Sequence, residues 1–362
     1  MNLSEAIERF APMLLARQGD RLSNEARQAL SAMRHCRDAG CPHWLADCAD
    51  CATQAAGPHS CGHRSCPHCQ HGTGEAWRQR QLQRLLPVDY FLVTFTLPAQ
   101  LRSLARGHPR RVYDALLRCA WATVAQCGRN EARLAVDLGA TAVLHTHSRT
   151  RDYHPHVHLL VPAGGVNRTS GLWRSTGRYL FKAGNLARVF RAKLLAALRA
   201  AGLHLPAGLP DTWVADCTRV GHGEQALGYL ARYLYRGVLS ERDLLDGDDG
   251  QVRFRYRDSA TGHSRIRRMD GADFLNLLLQ HVLPKGFHRV RQFGLLHPKR
   301  KALLARAQCL LQVRLPPIAA SARPGLRCPT CGAPMRVIAT RLSPSQARER
   351  LRRSEARRST IM

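Results

Sequence analysis

The chain has 362 residues, of which 44% are hydrophobic, so it can bury a sizeable core and is not a disordered chain. It carries 55 lysines and arginines against 26 aspartates and glutamates, which gives a formal net charge of +29. Such an excess destabilises a compact chain by self-repulsion unless a polyanion neutralises it. Nucleic acid is therefore the expected partner.

The sequence has no run of about 18 apolar residues, so we expect no transmembrane helix and no membrane partner. The first five residues lack the basic and apolar regions of a signal peptide. We therefore expect a cytoplasmic, nucleoid-associated bacterial protein whose 13 cysteines stay reduced. The sequence does not indicate an oligomeric state.

Taken in chain order, apolar residues at helical spacing predict a helical segment over residues 1–35. Seven cysteines then fall between positions 36 and 69, and in a reducing compartment this crowding favours a metal site over disulfides. Two Cys-x-x-Cys pairs separated by 14 residues match the usual spacing of four cysteines around tetrahedral zinc. The sequence thus predicts a zinc-binding module over residues 36–75, with structural zinc on Cys48, Cys51, Cys66 and Cys69.

Further candidate ligands leave this set open; they are Cys36, Cys41, Cys61, His43, His59, His63, His68 and His71. A second zinc ion is the alternative that these residues allow. Near the other end of the chain, Cys328-x-x-Cys331 forms half of a site, and the sequence does not supply the other half.

Residues 76–315 mix helices and strands, which predicts an α+β domain. Strands are expected near 90–97, 140–147, 155–161, 212–219 and 251–257, and helices near 74–86, 110–127, 184–201, 224–236, 270–282 and 298–312. The last segment, 316–362, contains the isolated cysteine pair and a basic tail. From about residue 341 this tail has no clear apolar face, so we expect it to be mobile.

Histidines alternate along one predicted strand and recur on its neighbour. Because side chains alternate across a strand, His156 and His158 project from one face. A single histidine is usually a packing residue, but this cluster on an apolar hairpin predicts a metal site. His145 is the expected third ligand, with His147 and His154 as alternatives. Imidazole donors favour Mn, Zn, Ni or Co, whereas phosphate chemistry often uses Mg, so the ion stays open.

Two tyrosines, Tyr229 and Tyr233, are four residues apart, which places them on one face of a predicted helix. Such residues are commonly only packing. Gly221 and Gly223 just before them, with Arg232 and Arg236 available for phosphates, favour a nucleophilic role instead. Further DNA contacts are expected from Lys285, Arg289 and Arg291 in a basic, aromatic segment.

These motifs occur in an order that resembles a known family. Along the chain they are Ser60-Cys61, Cys66-Pro67-His68-Cys69-Gln70, Phe91-Leu92-Val93-Thr94-Phe95-Thr96-Leu97-Pro98, Val143-Leu144-His145-Thr146, His154-Pro155-His156-Val157-His158, Tyr229-Leu230-Ala231-Arg232-Tyr233-Leu234-Tyr235-Arg236, His281-Val282-Leu283-Pro284-Lys285-Gly286-Phe287 and Cys328-Pro329-Thr330-Cys331-Gly332. Over roughly residues 35–335 the chain resembles the rolling-circle transposases of the insertion sequence 91 group. These are two-tyrosine members of the His-hydrophobe-His (HUH) endonuclease superfamily.

The resemblance implies an antiparallel central sheet flanked by helices, with the paired histidines on a central strand and the tyrosine helix over it. It implies that His156 and His158 bind a catalytic Mg²⁺ or Mn²⁺ ion. Tyr229 and Tyr233 would cut and rejoin single-stranded DNA at transposon ends and target, leaving a 5′-phosphotyrosine and a free 3′-OH. One departure is Arg149, which stands where the family usually has glutamine.

Other functions would use the same residues. A plasmid replication initiator or relaxase-type nickase would apply the same chemistry to a different DNA. A non-catalytic zinc protein that binds DNA and regulates transcription would not need the tyrosines. A hydrolytic metallonuclease would cut DNA without a covalent intermediate.

Overall fold

The computed structural model describes most of the chain. The described residues are 1–38, 40–66, 69, 77, 79–131, 134–148, 150–175, 181–222, 224–225, 227–228, 241–247, 250–258, 261–314 and 326–359. Most of the helix predicted over 224–236, including Tyr229, Arg232, Tyr233 and Arg236, lies outside them, and so do Arg149 and Gly223.

Helices with bounds in this part of the chain occur from one end to the other. They are α1 (Leu3–Gln18), α2 (Asn24–Arg34), α3 (Arg102–Gly107), α4 (Pro109–Asn130), α5 (Ala183–Ala200), α6 (Gly271–Leu279), α7 (Lys301–Leu310) and α8 (Pro344–Ser359). None of them is both long enough and apolar enough to cross a membrane.

The strands form small sheets around one larger sheet. They are β1 (His43–Cys48), β2 (Gln54–Pro58), β3 (Asp89–Thr96), β4 (Val136–Asp137), β5 (Gly139–His147), β6 (Tyr153–Pro162), β7 (Gly164–Asn167), β8 (Trp173–Ser175), β9 (Ala215–His222), β10 (Leu244–Leu245), β11 (Gln251–Arg257), β12 (Ser264–Asp270), β13 (Val290–Gly294) and β14 (Met335–Leu342). The three-stranded sheets have the orders β14-β1-β2, β10-β11-β12 and β4-β7-β8.

The largest sheet has the strand order β13-β5-β6-β3-β9, and each pairing in it is antiparallel. β6 is the middle strand, and its apolar residues Val157 and Leu159 point to a face covered by α4 and α5. Phe95, Leu116 and Phe190 are fully buried in that core. The expected α+β fold with an antiparallel central sheet flanked by helices is therefore confirmed.

A second core joins the start of the chain to the β10-β11-β12 sheet. α1 begins at a capping box formed by Asn2 and Glu5, and it packs against α6 and α2. The helices approach closely where Gly271 meets the ring of Phe10, since a Cβ there would lie 2.2 Å from a ring carbon. Cys36 and Cys66 are buried in the same core.

The C-terminal segment was predicted to be mobile from about residue 341, and this prediction is wrong. β14 pairs with β1 along its length, and α8 follows it and contacts β1 and β2. The sequence pattern missed this because the apolar face of α8 is narrow, consisting of Ala347 and Leu351 against Leu45 and Leu342. The proposed division at residues 36, 76 and 316 remains a prediction about folding units.

Most of the predicted elements between residues 90 and 312 occur within a few residues of their expected bounds. The strand expected at 212–219 begins later, at Ala215, because Trp213 is instead buried against α5. Cys119 is buried in the main core, and Cys127 is half-buried at its edge.

We expect Phe190→Ala to lower the free energy of unfolding by about 3–5 kcal/mol, because it removes a fully buried ring from the main core. The ring lies 4.5 Å from that of Phe95 and 5.7 Å from that of Trp213, centroid to centroid. Urea denaturation followed by circular dichroism measures the change. Val214→Ala, at a side chain that is 67% exposed, is the control and should change little. Equal effects of the two variants would contradict this packing.

Candidate metal centres

Three histidines converge on one face of the central sheet. In the ladder His145 lies opposite His156, and Val143 lies opposite His158, so the side chains share a face. One nitrogen from each of the three rings lies within 4.8 Å of the others. The ring centroids are 4.7 Å apart for His145 and His158 and 4.8 Å apart for His156 and His158. Three imidazoles at this spacing fit a single divalent ion with open positions for substrate.

Burial keeps these imidazoles in the neutral form that binds metals. Desolvation lowers the pKa of His156 to about 4 and that of His158 to about 3. The pKa of His145 is also well below its usual value, first because of burial and then because of the neighbouring histidines. At neutral pH each ring therefore presents a lone pair without the cost of losing a proton.

Two hydrogen bonds orient the rings. The Nδ1–H of His156 donates to the carbonyl oxygen of His154 at 2.7 Å. The Nδ1 of His158 lies 2.8 Å from Thr94 Oγ1, which accepts when Nδ1 carries the proton. Both bonds leave Nε2 as the nitrogen available to a metal, and such outer partners fix the ring position and tautomer.

The alternative ligands have other contacts. The Nδ1 of His154 lies 2.6 Å from Arg102 Nη2, which donates to it. A register irregularity between His145 and His147 displaces the end of β5, and the ring of His147 meets that of His281 edge to face, with the centroids 5.3 Å apart. The structure thus brings together the three histidines chosen from the sequence; their role as ligands stays a prediction.

Sequence reasoning missed the residues that fasten the loop between β5 and β6. His281 lies just after α6; its Nε2–H donates to the Arg151 carbonyl and its Nδ1 accepts from the Thr146 hydroxyl, each at 3.1 Å. Arg267 in β12 donates to the carbonyl of Thr150 and to Asp152. The sequence offered one signal for His281, which is that it opens the motif His281-Val282-Leu283-Pro284-Lys285-Gly286-Phe287. That signal did not indicate a contact with Arg151 or Thr146.

The cysteines form two clusters. In cluster A the Sγ atoms of Cys36, Cys61, Cys66 and Cys69 all lie within 4.8 Å of one another. The closest pairs are 3.5–3.6 Å apart, near the edge of about 3.8 Å that four Zn–S bonds of about 2.3 Å produce in a tetrahedron. Burial raises the pKa of the Cys61 thiol to about 12, so its thiolate requires a cation at this place.

In cluster B the Sγ atoms of Cys48, Cys51, Cys328 and Cys331 also lie within 4.8 Å of one another. The Sγ atoms of Cys48 and Cys331 are 3.5 Å apart, as are those of Cys51 and Cys328. The backbone N–H of Cys331 lowers the pKa of Cys328 to about 6, which favours the thiolate that zinc binds.

The four-cysteine set expected from the sequence is therefore wrong in its grouping. Cys48 and Cys51 belong to cluster B, whereas Cys66 and Cys69 belong to cluster A. Spacing along the chain did not reveal this, because Cys328 and Cys331 reach Cys48 only through the β1–β14 pairing. Among the other candidates, the side chains of Cys41, His43 and His63 make contacts within a few residues along the chain, and His59 Nε2 accepts from the distant N–H of Arg341. His68 and His71 fall outside the described residues.

The predicted DNA-binding residues of the 285–293 segment differ in their surroundings. Lys285 is exposed. Arg289 is close enough to the histidines to contribute to the low pKa of His145 and His147. Arg291 pairs with Asp114 and lies over the ring of Phe287, so its side chain is engaged in packing. Their roles in DNA binding stay predictions.

Comparison with known proteins places these sites in context. Residues 6–97 match the zinc-binding domain of IS91 transposases, and residues 139–302 match a family described as "Putative transposase". The first range contains cluster A and half of cluster B. The second contains the three histidines.

Individual relatives extend the match over most of the chain. The chain is 30% identical over 320 residues to "Putative transposase y4qJ" of Sinorhizobium fredii, covering 82% of this chain and 80% of that protein. It is 28% identical over 269 residues to the transposase for insertion sequence element IS801 of Pseudomonas savastanoi pv. phaseolicola, covering 66% and 64%. A solved structure of the relaxase TrwC with a 27-mer DNA has 16% identity, coverage of 62% and 75%, and a TM-score of 0.26, which is too low to carry an argument.

Independent loading of the two cysteine clusters can be tested with Co²⁺, whose thiolate charge-transfer absorption does not arise from a histidine site. We expect Cys66→Ala and Cys328→Ala each to remove about half of the absorption that saturating Co²⁺ produces, since each destroys one cluster. The combined variant should remove nearly all of it. Cys309→Ala, at an exposed cysteine outside both clusters, is the control. Complete loss from either single variant would indicate one shared site instead.

Thr94→Val tests the orientation of His158. The substitution keeps the side-chain shape and removes the Oγ1 partner of Nδ1, so we expect Mn²⁺ affinity at the histidine site to fall by about 10–100-fold. Calorimetry on the zinc-loaded protein measures it. Thr96→Val is the matched control, because Thr96 lies opposite His156 on the same strand but no hydrogen bond to a histidine is found for it in the described residues. An equal loss in both variants would refute this role of Thr94.

Proposed function

This chain belongs to the insertion sequence 91 family of transposases, and we propose that it nicks and rejoins single-stranded DNA at transposon ends through a covalent phosphotyrosine. The observation that carries the proposal is the convergence of His145, His156 and His158 on the middle of an antiparallel sheet. Three neutral imidazoles with one open side suit an ion that must also contact a phosphate.

His145, His156 and His158 would hold Mg²⁺ or Mn²⁺, which supplies Lewis-acid polarisation of the scissile phosphodiester. The protein's own contribution is orientation. Thr94 and the His154 carbonyl hold two of the rings from behind, while the apolar face of β6 is fixed in the main core. A rigid strand keeps the reacting phosphate in one position, and such positioning is a large part of catalysis.

Tyr229 and Tyr233 are the proposed nucleophiles. The phenol oxygen attacks phosphorus, the bond from phosphorus to the 3′ oxygen breaks, and the 3′ oxygen takes a proton from solvent as the phenol loses its own. The products are a 5′-phosphotyrosine and a free 3′-OH. Because the bond energy is kept in the phosphotyrosine, the 3′-OH of another strand can reverse the reaction and rejoin DNA without ATP.

The chain leading to these tyrosines supports the assignment. Leu227, two residues before Tyr229, is buried in a cluster with Val143 and Leu160, which lie on the histidine face of the sheet. Val143 is the ladder partner of His158. The backbone therefore approaches the proposed metal site immediately before the tyrosine segment begins.

Cations near the site suit a phosphate substrate. Arg102 contacts His154 at the edge of the cluster, and Arg289 is close enough to affect the pKa of His145. A guanidinium beside the three histidines would bind non-bridging phosphate oxygens and offset the charge that develops on them. The zinc-binding module and the net charge of +29 would supply the wider DNA contacts.

The proposal predicts a covalent protein–DNA adduct. Full-length protein with Mn²⁺ and labelled single-stranded oligonucleotides from the element's ends should yield a labelled protein band that survives denaturing electrophoresis. The combined Tyr229→Phe and Tyr233→Phe variant should reduce the adduct by at least about 10³-fold, because phenylalanine has no nucleophilic oxygen. Chelation of the divalent ion should abolish it.

Tyr235→Phe is the matched control, since this tyrosine falls off the face shared by the other two at helical spacing. Cleavage that persists without an adduct would instead indicate a hydrolytic metallonuclease. DNA binding with neither cleavage nor adduct, by protein with normal circular dichroism, would favour a non-catalytic DNA-binding protein. Cleavage confined to plasmid-origin hairpins would favour an initiator or relaxase.

A further inference from the structure

We propose that the C-terminal helix α8 is a DNA-backbone-binding element, and that metal in cluster B holds it on the zinc-binding module. The inference rests on the proposed function only in taking DNA as the polyanion. α8, Cys328 and Cys331 lie beyond residue 302, where the second matched range ends, whereas Cys48 and Cys51 lie in the first matched range.

Cluster B is built from two matching knuckles. In one, the N–H of Cys48 donates to the carbonyl of Thr53, and that of Ala52 donates to the carbonyl of Cys48. In the other, Cys328 and Gly332 make the same two bonds at the same offsets. The residue after each second cysteine has a positive φ, 54° at Ala52 and 73° at Gly332. This shared backbone directs both pairs of sulfur atoms at one point, as a metal requires.

The metal would close a very long loop. The paired cysteines are separated by 277 residues between Cys51 and Cys328 and by 283 between Cys48 and Cys331. A metal ion that joins two distant segments removes much of the conformational freedom that these segments have when no metal is bound. Cluster B therefore determines whether the end of the chain stays with the start of the chain.

Apolar packing alone holds α8 weakly. Its contact with the module consists of Ala347 and Leu351 against a few aliphatic side chains of β1, β2 and β14. Strand β14, which precedes α8, leaves apolar side chains in solvent, since Val337 is 45% and Ile338 is 42% exposed. So small an apolar surface provides little stabilisation, and attachment of α8 depends on the β1–β14 pairing that cluster B secures.

The solvent face of α8 is strongly basic. From residue 341 to the end, the sequence holds seven arginines and two glutamates. Arg348, Arg350 and Arg352 are exposed, and in the described part of the chain no carboxylate pairs with them; Arg353 pairs with Glu349. Guanidinium groups on a fixed helix that have no carboxylate partner among the described side chains are suited to phosphate oxygens.

The spacing of the arginines fits a nucleic-acid strand. Arg348 and Arg352 are one turn apart, so they lie on one face and about 6 Å apart along the axis. Two phosphate steps along one strand of duplex DNA cover about 7 Å of the helix axis, which is close to this separation of the arginines. The net charge of +29 and the DNA substrate of the proposed function make DNA the partner that the helix favours.

The first experiment measures binding of the full-length protein to a labelled single-stranded oligonucleotide over a range of salt concentrations, without added Mg²⁺ or Mn²⁺. We expect Arg348→Gln with Arg352→Gln to lower the slope of log K against log salt by about 1.4, since each lost phosphate contact removes about 0.7. Affinity at low salt should fall by at least about 10-fold.

The matched control is Arg188→Gln with Arg199→Gln. These two arginines are exposed on α5, which covers the sheet face opposite the histidines, and the variant loses the same charge. It should keep the wild-type slope. If the α8 variant keeps the wild-type slope, or if both variants lose it equally, the proposal is wrong. Competition by polyglutamate as effective as that by DNA would also overturn it.

The second experiment links the helix to the metal. Cys328→Ser with Cys331→Ser should lower zinc content by one ion per chain and lower the salt slope as much as the arginine variant does, although no arginine has changed. Limited trypsin digestion should cut this variant within α8 and leave Cys309→Ser intact there. A variant that loses zinc but keeps both the wild-type salt slope and the resistance of α8 to trypsin would refute the role of cluster B in holding α8.

These outcomes are separable from those of the phosphotyrosine proposal. At low salt and saturating DNA, the arginine variant should form the covalent adduct at the wild-type level, because α8 lies outside the proposed reacting groups. Loss of adduct in the tyrosine variant with an unchanged salt slope would leave the role of α8 supported. Normal adduct formation with no slope change in the arginine variant would overturn the role of α8 alone.

Discussion

The pairing of β6 with β5 and β3 is the constraint on which the candidate site depends. Since side chains alternate along a strand, this register places His156 and His158 on one face with His145 and Thr94, and turns Val157 and Leu159 into the main core. A slip of one residue would turn the imidazoles toward the main core and the aliphatic side chains toward the opposite face. The hydrophobic free energy of the core therefore selects the register that brings the three histidines together.

The loop beside this site is held by a distant part of the chain. His281 follows α6, and α6 shares its core with α1 and with Cys36 and Cys66 of cluster A. Through that core the N-terminal helices, the first cysteine cluster and the loop after β5 form one continuous packed body. A metal in cluster A thus stabilises the elements that hold the loop as well as the zinc-binding module itself.

Burial determines the charge state of the histidines, whereas solvent screens the charges on the protein surface. The histidines are neutral because burial penalises the imidazolium, whereas most ion pairs, such as that of Arg168 with Asp137, are exposed and contribute little stability. The excess of positive charge is thus offset only weakly within the chain. Binding of a polyanion would lower this repulsion and so raise the stability of the folded chain.

Local patterns in the sequence determined the class of fold, the strand that carries His156 and His158, and the presence of cysteine ligands, because alternation, helical spacing and Cys-x-x-Cys pairs are local signals. They did not determine which cysteines share an ion, nor that Thr94 and His281 hold the site. Tertiary structure decided those, since Cys328 meets Cys51 only when β14 adds to β1, and His281 meets Arg151 only when α6 packs beside the sheet. Contacts between segments hundreds of residues apart depend on how the whole chain packs, and no spacing along the chain encodes them.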